Sequence, residues 1–367
     1  MTRHPTSDVS EARALLILDQ LPRVGLVMIQ RLVETFGSGE RALTAPHALF
    51  VAVAGLSAAR GRRDAALIER VERALADAER LGIHVSTWHS PEYPERLRHL
   101  ADPPPVLFMK GSREILERPS VTVVGARRAT VRSRDLAERL GSGLAAAGVT
   151  AVSGLALGVD GAVHKGALGA GGDTIAVLGT GADVAYPSSH RRLHHQILER
   201  GLIVSEFLPG TPALPHHFPR RNRILAALSS ATVVVEAGVR SGSLITVDHA
   251  LDLGRDVWVV PGPIERSTCA GSNRLLLDGA RALLSIPDFL EAISGSAPSS
   301  PAVGDAVERR GGVEGKLLSA LGEEPLTVDE LAVRVGVPVP DALVILTVLE
   351  LGGEVARVPG MRFRRAA

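Results

Sequence analysis

Short apolar runs rich in β-branched residues alternate with segments of helical periodicity from Val121 to Val260. Each run is too short for a buried helix and lacks the polar alternation of a solvent-facing strand, so the runs predict strands buried on both faces. Strands that alternate with helices fold as a parallel sheet with helices on either side, and the pattern therefore predicts an α/β, doubly wound, mainly parallel sheet. The predicted strands are 121–124, 150–152, 174–178, 202–204, 231–235 and 256–260, and the predicted helices are 132–147, 159–169, 190–200, 220–229 and 243–253.

The chain has 367 residues, more than one ordinary core accommodates, and the flanking patterns predict further domains. Residues 1–87 show helical spacing without strand alternation, and we expect a small helical domain there. Residues 88–293 hold the sheet, and their first prolines predict an extended connection over 88–110. Small residues and prolines predict a flexible linker over 294–312. Residues 313–367 show three helical segments and then two short strand candidates, which is the order of a winged helix.

The segment from Leu21 to Gly25 leaves two interpretations open. It precedes a predicted helix that ends at Phe36, and it looks like half of a helix-hairpin-helix element, whose backbone amides can hold a phosphate. The motif is short, and a plain helix-turn-helix packing unit is the more common origin of such a segment.

Composition and charge exclude several classes of protein. No run of about 18 apolar residues could span a bilayer, and the first residues lack the apolar stretch of a signal peptide, so we expect a cytoplasmic protein without a membrane span. A single cysteine, Cys269, excludes an internal disulfide framework and a cysteine-based zinc site. The net charge is zero over 1–109, +4 over 110–290 and −3 over 291–367, so we expect an anionic ligand on the central domain.

The loops that follow the predicted strands hold candidate binding residues, because doubly wound sheets bind ligands beyond the carboxyl ends of their strands. Gly125 lets the backbone approach a ligand after the first strand, and Arg127 supplies a forked donor for phosphate. Ser153 and Gly154 form a second polar loop, and Lys165 lies on the helix that follows it. Each loop taken alone could equally be a strand-to-helix turn with solvated side chains.

Two later segments repeat this chemistry. The first is the start of a predicted helix, where cationic side chains and backbone amides can face one anion together. The second is a serine-glycine loop before the next helix, where amides and hydroxyls can cradle a phosphate. The candidate contacts in these segments are Arg220, Arg221, Asn222, Arg223, Ser241, Gly242, Ser243 and Leu244.

Several common kinds of site lack support in the sequence. Gly179 and Gly181 match the first two glycines of the dinucleotide-binding fingerprint, but Val184 stands where a third glycine or alanine is expected. The loop also follows a late strand, whereas the fingerprint normally follows the first strand. Aromatic residues make up 3% of the chain, which argues against a base-stacking platform as the main device. Histidines occur as adjacent pairs without the spacing or carboxylates of a metal site. We therefore predict no catalytic residue, no cofactor and no metal.

Taken together, these segments resemble the DNA processing protein A family of bacteria, also called Smf. The resemblance covers about residues 88–290, and the motifs follow the family's order. One departure is Ala126, which stands where a serine is often found; this change removes one hydroxyl contact and keeps the backbone geometry. The resemblance rests on Val123–Arg127, Ser153–Asp160, Ala176–Gly181, Tyr186-Pro187, Ser205-Glu206, Phe218–Ile224 and Glu236–Thr246.

The resemblance implies an extended Rossmann-like domain that binds single-stranded DNA without catalysis. It further implies that the protein protects this DNA and helps to load the RecA recombinase onto it during natural transformation, and that it forms a homodimer through the same domain. The family's contacts carry over to Gly125, Arg127, Ser153, Gly154, Lys165, Ser241, Gly242, Ser243 and Leu244.

Two other functions remain open from the sequence. The lysine-decarboxylase-like phosphoribohydrolases, a related group of Rossmann-like enzymes, carry a glutamate where this chain has Thr246, although Glu236 lies nearby and could act as an acid or base. A transcription regulator would act through the winged helix. Its third predicted helix, 340–351, contains Asp341 and Glu350 but neither arginine nor lysine, and DNA phosphates would repel it. We therefore expect the winged helix to contact mainly protein.

Overall fold

The computed structural model of this chain divides at residue 293 into two compact units, which are described separately. The predicted linker 294–312 lies outside the described residues. The structure describes residues 5–293, 313–321, 325–351, 354–358 and 362–365.

The N-terminal part of the first unit is helical, as its periodicity predicts. Ser38 and Asp64 cap two of the helices, because their side-chain oxygens accept hydrogen bonds from the first free backbone amides. Leu15, Ile29 and Phe50 are buried in the core between these helices. The helices and the sheet belong to the same compact unit. The helices are α1 (Pro5–Asp19), α2 (Leu26–Phe36), α3 (Gly39–Thr44), α4 (His47–Gly61) and α5 (Ala65–Arg80).

A nine-stranded sheet forms the centre of the first unit, in the order β1-β2-β6-β5-β4-β3-β7-β8-β9. The seven strands from β6 to β9 in this order are parallel, whereas β2 pairs antiparallel with β6 and β1 pairs antiparallel with β2. All six predicted strands and the doubly wound fold are confirmed. The strands are β1 (His84–Thr87), β2 (Val106–Gly111), β3 (Ser120–Val124), β4 (Thr150–Ser153), β5 (Thr174–Val177), β6 (Leu202–Ser205), β7 (Ala231–Val234), β8 (Asp256–Val259) and β9 (Arg281–Ala282).

Helices cover both faces of this sheet. Neighbouring residues of one strand enter different cores: Val233 packs with the residues of α7 and α8, and Val234 packs with those of α10 and α11. The expected extended connection over 88–110 is corrected, since it contains one short helix and strand β2. The helices are α6 (Glu95–Arg98), α7 (Val131–Ala146), α8 (Val159–Gly169), α9 (Arg191–Arg200), α10 (His217–Leu228), α11 (Ser243–Asp252), α12 (Ala270–Leu277) and α13 (Ile286–Ile293).

The order of the strands reverses at β3. From β3 the chain adds β4, β5 and β6 on one side, and it then returns to place β7 on the other side. Loops that follow β3 and β7 therefore leave the sheet in opposite directions, and a crevice opens between them at the carboxyl edge, where doubly wound folds bind their ligands.

The second unit is a winged helix, as predicted. A helix over 313–320, α14, precedes α15 (Val328–Val335) and α16 (Val339–Leu351). Leu317, Leu331, Leu346 and Phe363 are fully buried in its core. The strands β10 (Leu326–Thr327), β11 (Val355–Val358) and β12 (Arg362–Arg365) pair in the order β10-β12-β11.

The length and apolar composition of a helix determine whether it could cross a membrane. Within the described ranges, no single helix is both long enough and apolar enough to cross a bilayer. The α15 and α16 segments meet these criteria only as a pair, with a bend of 108° between them.

Candidate functional site

A cleft of about 760 Å³ opens at the carboxyl edge of the sheet, at the strand-order reversal. Its walls come from the loops after β3, β4 and β7, from the start of α10 and from the start of α11. Residues that line it include Gly125, Arg127, Phe218, Asn222, Ser241 and Ser243.

Gly125 brings the loop after β3 against the loop after β7. A side chain at this position would place its Cβ 2.6 Å from Val159 Cγ2 and 3.1 Å from the carbonyl oxygen of Glu236. The next residue, Ala126, donates its amide to that same Glu236 oxygen at 2.6 Å. The two loops are thus joined directly beneath Arg127, and glycine is required for them to meet.

Arg127 is exposed in the cleft and lies over an aromatic ring. Its guanidinium carbon is 5.0 Å from the centroid of the Phe218 ring, which is a cation–π distance. The Tyr186 ring centroid is 5.5 Å from that of Phe218, and Tyr186 is 43% exposed. The sequence argument from scarce aromatics missed this pair, because a composition counts residues and does not place them.

Arg221 and Asn222 line the cleft, but their polar atoms are bound to the protein. Arg221 is 4% exposed, and its Nη1 donates to the carbonyl oxygens of Gly154, at 2.9 Å, and Val177. Asn222 Nδ2 donates to the Gly242 carbonyl oxygen at 3.0 Å. Burial lowers the pKa of Arg221 to about 10. These side chains join the ends of β4 and β5 to the loop before α11.

Asp160 lies behind Arg221 in the same cleft. It is 6% exposed and accepts a hydrogen bond from the Ala156 amide at 3.3 Å. Burial raises the pKa of Asp160, and the charge of Arg221 offsets part of that increase. Protonation of this buried carboxyl therefore removes a negative charge from the cleft.

Arg220 and Arg223 do not line the cleft. Both bind Glu206, which is itself buried: Arg220 Nε donates to Oε2 at 2.8 Å, and Arg223 donates from Nη1 to Oε1 and from Nη2 to Oε2, each at 2.9 Å. Arg220 also forms an ion pair with Asp19 at 3.3 Å, and Arg223 with Asp102 at 3.2 Å. Burial opposes the charge of Arg220, yet Glu206 and Asp19 together raise its pKa above the ordinary value.

The polar loop after β4 also faces inward. Ser153 is fully buried, and its hydroxyl donates to the Val123 carbonyl oxygen at 2.7 Å. Gly154 leaves room for the Arg221 guanidinium, since a Cβ there would lie 2.5 Å from Arg221 Nη2. Lys165 is exposed on α8, six residues after Val159, and lies outside the residues that line the cleft.

The serine-glycine loop presents hydroxyls at the start of α11. Ser241 Oγ and Ser243 Oγ are 2.7 Å apart, and Ser241 accepts the first two amides of the helix: its Oγ accepts from the Ser243 amide at 3.4 Å, and its carbonyl oxygen accepts from the Leu244 amide at 3.1 Å. The positive end of the helix dipole at this loop favours an anion. Leu244 packs partly into the core behind the loop.

Glu236 is fully buried and holds the start of α7. Its Oε2 accepts hydrogen bonds from the Thr130 amide at 3.1 Å and the Thr130 hydroxyl at 3.2 Å. Burial by itself would raise the pKa of Glu236, but donors on Ser133 and Thr130 lower it below its ordinary value. Glu236 is thus a buried carboxyl that holds the loop before α7 through Thr130.

Metal binding has no candidate in the described part of the chain, where no group of three or more histidine, cysteine, aspartate or glutamate side chains could hold an ion.

Comparison with known proteins gives consistent matches. The family model of the DNA recombination-mediator protein A matches residues 84–294, and that of the DprA winged helix domain matches residues 298–361. Protein Smf of Escherichia coli K12 is 38% identical over 305 residues, which are 81% of this chain and 82% of that protein.

Two solved structures share the fold. DNA processing protein A from Streptococcus pneumoniae superposes with a TM-score of 0.67 at 33% identity, over 77% of this chain and 96% of that one. DNA processing protein A from Helicobacter pylori, described for its unique mode of binding single-stranded DNA, gives a TM-score of 0.53 at 30% identity, over 58% of this chain and 97% of that one.

Proposed function

This chain belongs to the DNA processing protein A family, and we propose that it binds single-stranded DNA in the cleft at the carboxyl edge of its sheet. The observation that carries the proposal is the arrangement around Arg127. Its guanidinium lies over Phe218 and has no carboxylate partner in the part of the chain that the structure describes, and the serine-glycine loop before α11 lines the same cleft. The H. pylori relative, described as binding single-stranded DNA, supports the same ligand class.

The cleft offers chemistry for both parts of a nucleotide. Arg127 and the start of α11 would bind phosphates, because a guanidinium and the positive end of a helix dipole both attract an anion. Phe218 and Tyr186 would stack with a base. Such stacking does not depend on the DNA sequence, because every base has a π-face. Binding is therefore expected without sequence preference.

The predicted contact residues take different parts in this proposal. Those that would touch the strand in the cleft are Gly125, Arg127, Ser241, Gly242 and Ser243. Lys165 would contact phosphates outside the cleft, on α8. Those that would shape the cleft or hold its walls are Ser153, Gly154, Arg220, Arg221, Asn222, Arg223 and Leu244.

We further propose that the protein protects the bound strand, helps to load RecA onto it during natural transformation and acts without catalysis. A homodimer through the sheet-containing unit belongs to the same proposal. Family membership supports these steps. RecA loading is tested by the rate of RecA filament formation on DNA coated with a single-strand binding protein.

Equilibrium binding to labelled oligothymidylate and to a duplex of the same length tests the cleft directly. We expect tight binding to the single strand, weak binding to the duplex, and a large loss of single-strand affinity in Arg127→Ala. Arg31→Ala, an exposed arginine on α2, is the control and should bind as the wild type does. Equal affinity of the Arg127→Ala variant and the wild type would refute the proposal.

A further inference from the structure

A second depression lies beside the cleft, at the same edge of the sheet but on the face covered by α7 and α13. It encloses about 890 Å³ between α7 and the loops that follow β7, β8 and β9. We call it the arginine groove, defined by Arg132, Arg139, Arg266, Pro261, Leu284 and Ile286.

The charge of the arginine groove is entirely positive. Arg132, Arg139 and Arg266 are exposed, and none of them forms an ion pair with a described residue. Among the described residues that line the groove there is no aspartate or glutamate. Three free guanidinium groups around one depression attract an anion with several charges.

The groove also carries apolar surface. Leu284, which is 83% exposed, and the exposed Pro261 and Pro263 of the loop after β8 line it. A small inorganic anion gains nothing from such surface. A ligand that joins phosphates to less polar sugars and bases matches both features.

The groove and the cleft adjoin each other through two loops. In the loop after β3, Arg127 and Arg128 line the cleft, and Thr130 and Arg132 line the groove. In the segment before α12, Ser267 and Thr268 line the cleft, while the residues on either side of them, Arg266 and Cys269, line the groove. A DNA strand that leaves the cleft across these loops would therefore reach the groove directly.

We propose that the arginine groove binds the phosphodiester backbone of the single strand that leaves the cleft. This inference rests on the proposed function, because it concerns the part of the same DNA strand that lies beyond the cleft. The three guanidinium groups neutralise phosphates of the strand, and the apolar surface contacts its sugars and bases. The bound length of the strand therefore exceeds what the cleft alone holds.

The test compares two lengths of labelled oligothymidylate, about 6 and about 30 nucleotides, across a salt series. The variant is the triple substitution Arg132→Ala, Arg139→Ala, Arg266→Ala. A matched control replaces three exposed arginines on other faces, Arg31, Arg60 and Arg192. Arg127→Ala marks the cleft, and it should weaken the binding of both lengths.

The groove variant should bind the short strand within about twofold of the wild type. Its affinity for the long strand at about 0.1 M salt should fall by roughly ten- to a hundredfold, and the slope of log affinity against log salt should drop by about 2, because each single-strand phosphate contributes about 0.7. The control triple variant should keep the wild-type slope with both lengths.

Three results would overturn the proposal. One is unchanged affinity of the groove variant for the long strand, and another is an equal loss for both lengths, which would mean that the substitutions act through the cleft. The third is loss of long-strand binding together with dissociation to a monomer in light scattering, which would assign the groove to contact between two copies. Wild-type protein that binds neither length would instead refute the proposed function itself.

Discussion

Arg127 in the cleft and the arginine pair Arg220 and Arg223 at the start of α10 differ in whether they are free to bind an external anion. Arg127 in the cleft is exposed and has no carboxylate partner among the described residues. Arg220 and Arg223, on the other side of α10, bind the buried carboxylate of Glu206. The side chains have the same chemistry, and they differ in their carboxylate partners: Glu206 on the loop after β6 binds both Arg220 and Arg223, and Asp19 and Asp102 each pair with one of them.

The polar residues at the start of α10 face in two directions. Arg220 and Arg223 are one helical turn apart and face Glu206, whereas Arg221 and Asn222 face the cleft. The three arginines at this helix start are all bound within the protein, Arg221 by carbonyl oxygens and the other two by carboxylates, whereas Arg127 on the loop after β3 is not. Buried charges need partners, so the presence of a buried carboxylate decides which arginines are already neutralised.

The largest effect should come from removing that carboxylate. Glu206→Gln removes the buried carboxylate that Arg220 and Arg223 share and leaves them only the ion pairs with Asp19 and Asp102. We expect the free energy of unfolding to fall by about 3 kcal/mol in a urea titration. The control is Glu72→Gln, which breaks an ion pair with Arg13 whose glutamate is 53% exposed. It should cost less than about 1 kcal/mol. An equal loss of unfolding free energy in the two variants would show that the buried carboxylate of Glu206 is no more important for stability than an exposed one.

A smaller effect should follow from filling the space beside the cleft. Gly125→Ala places a methyl group 2.6 Å from Val159 Cγ2 and 3.1 Å from the Glu236 carbonyl, so the loop that carries Arg127 must move. We expect a loss of about 1–3 kcal/mol in stability and weaker binding of oligothymidylate in an anisotropy titration. Gly169→Ala is the control, since a Cβ there meets no atom within 4 Å. Oligothymidylate affinity that survives Gly125→Ala would show that Arg127 does not depend on this loop geometry.

The smallest effect should be a pH dependence of binding. Asp160 is a buried carboxyl in the cleft, and burial raises its pKa above the ordinary value. As the pH falls towards that raised pKa, Asp160 takes up a proton, the cleft loses a negative charge, and binding of a single strand tightens by a few-fold. Asp160→Asn should bind as tightly at neutral pH as the wild type does at acidic pH. A wild-type pH dependence that persists in Asp160→Asn would contradict this assignment.

The sheet could be predicted from the sequence because its central strands are buried on both faces and read as continuous apolar runs. Strand β1 lies at the end of the range 1–87 that was predicted to be helical, so that prediction is wrong for residues 84–87. Strand β2 was missed because it follows three prolines at 103–105, and β9 has only two residues. At the site, Gly125 and Arg127 were found because glycine and arginine after a first strand have a direct physical reason. The roles of Arg220 and Arg223 depend on Glu206, Asp19 and Asp102, which are distant in the sequence.

The salt dependence of single-strand binding in two matched variants tests the central claim most directly. Arg127→Ala removes an exposed guanidinium from the cleft, and Arg220→Ala removes one that already binds Glu206 and Asp19. We predict that the slope of log affinity against log salt falls by about 0.7 in Arg127→Ala and keeps its wild-type value in Arg220→Ala. A reduced slope in Arg220→Ala together with an unchanged slope in Arg127→Ala would contradict the account.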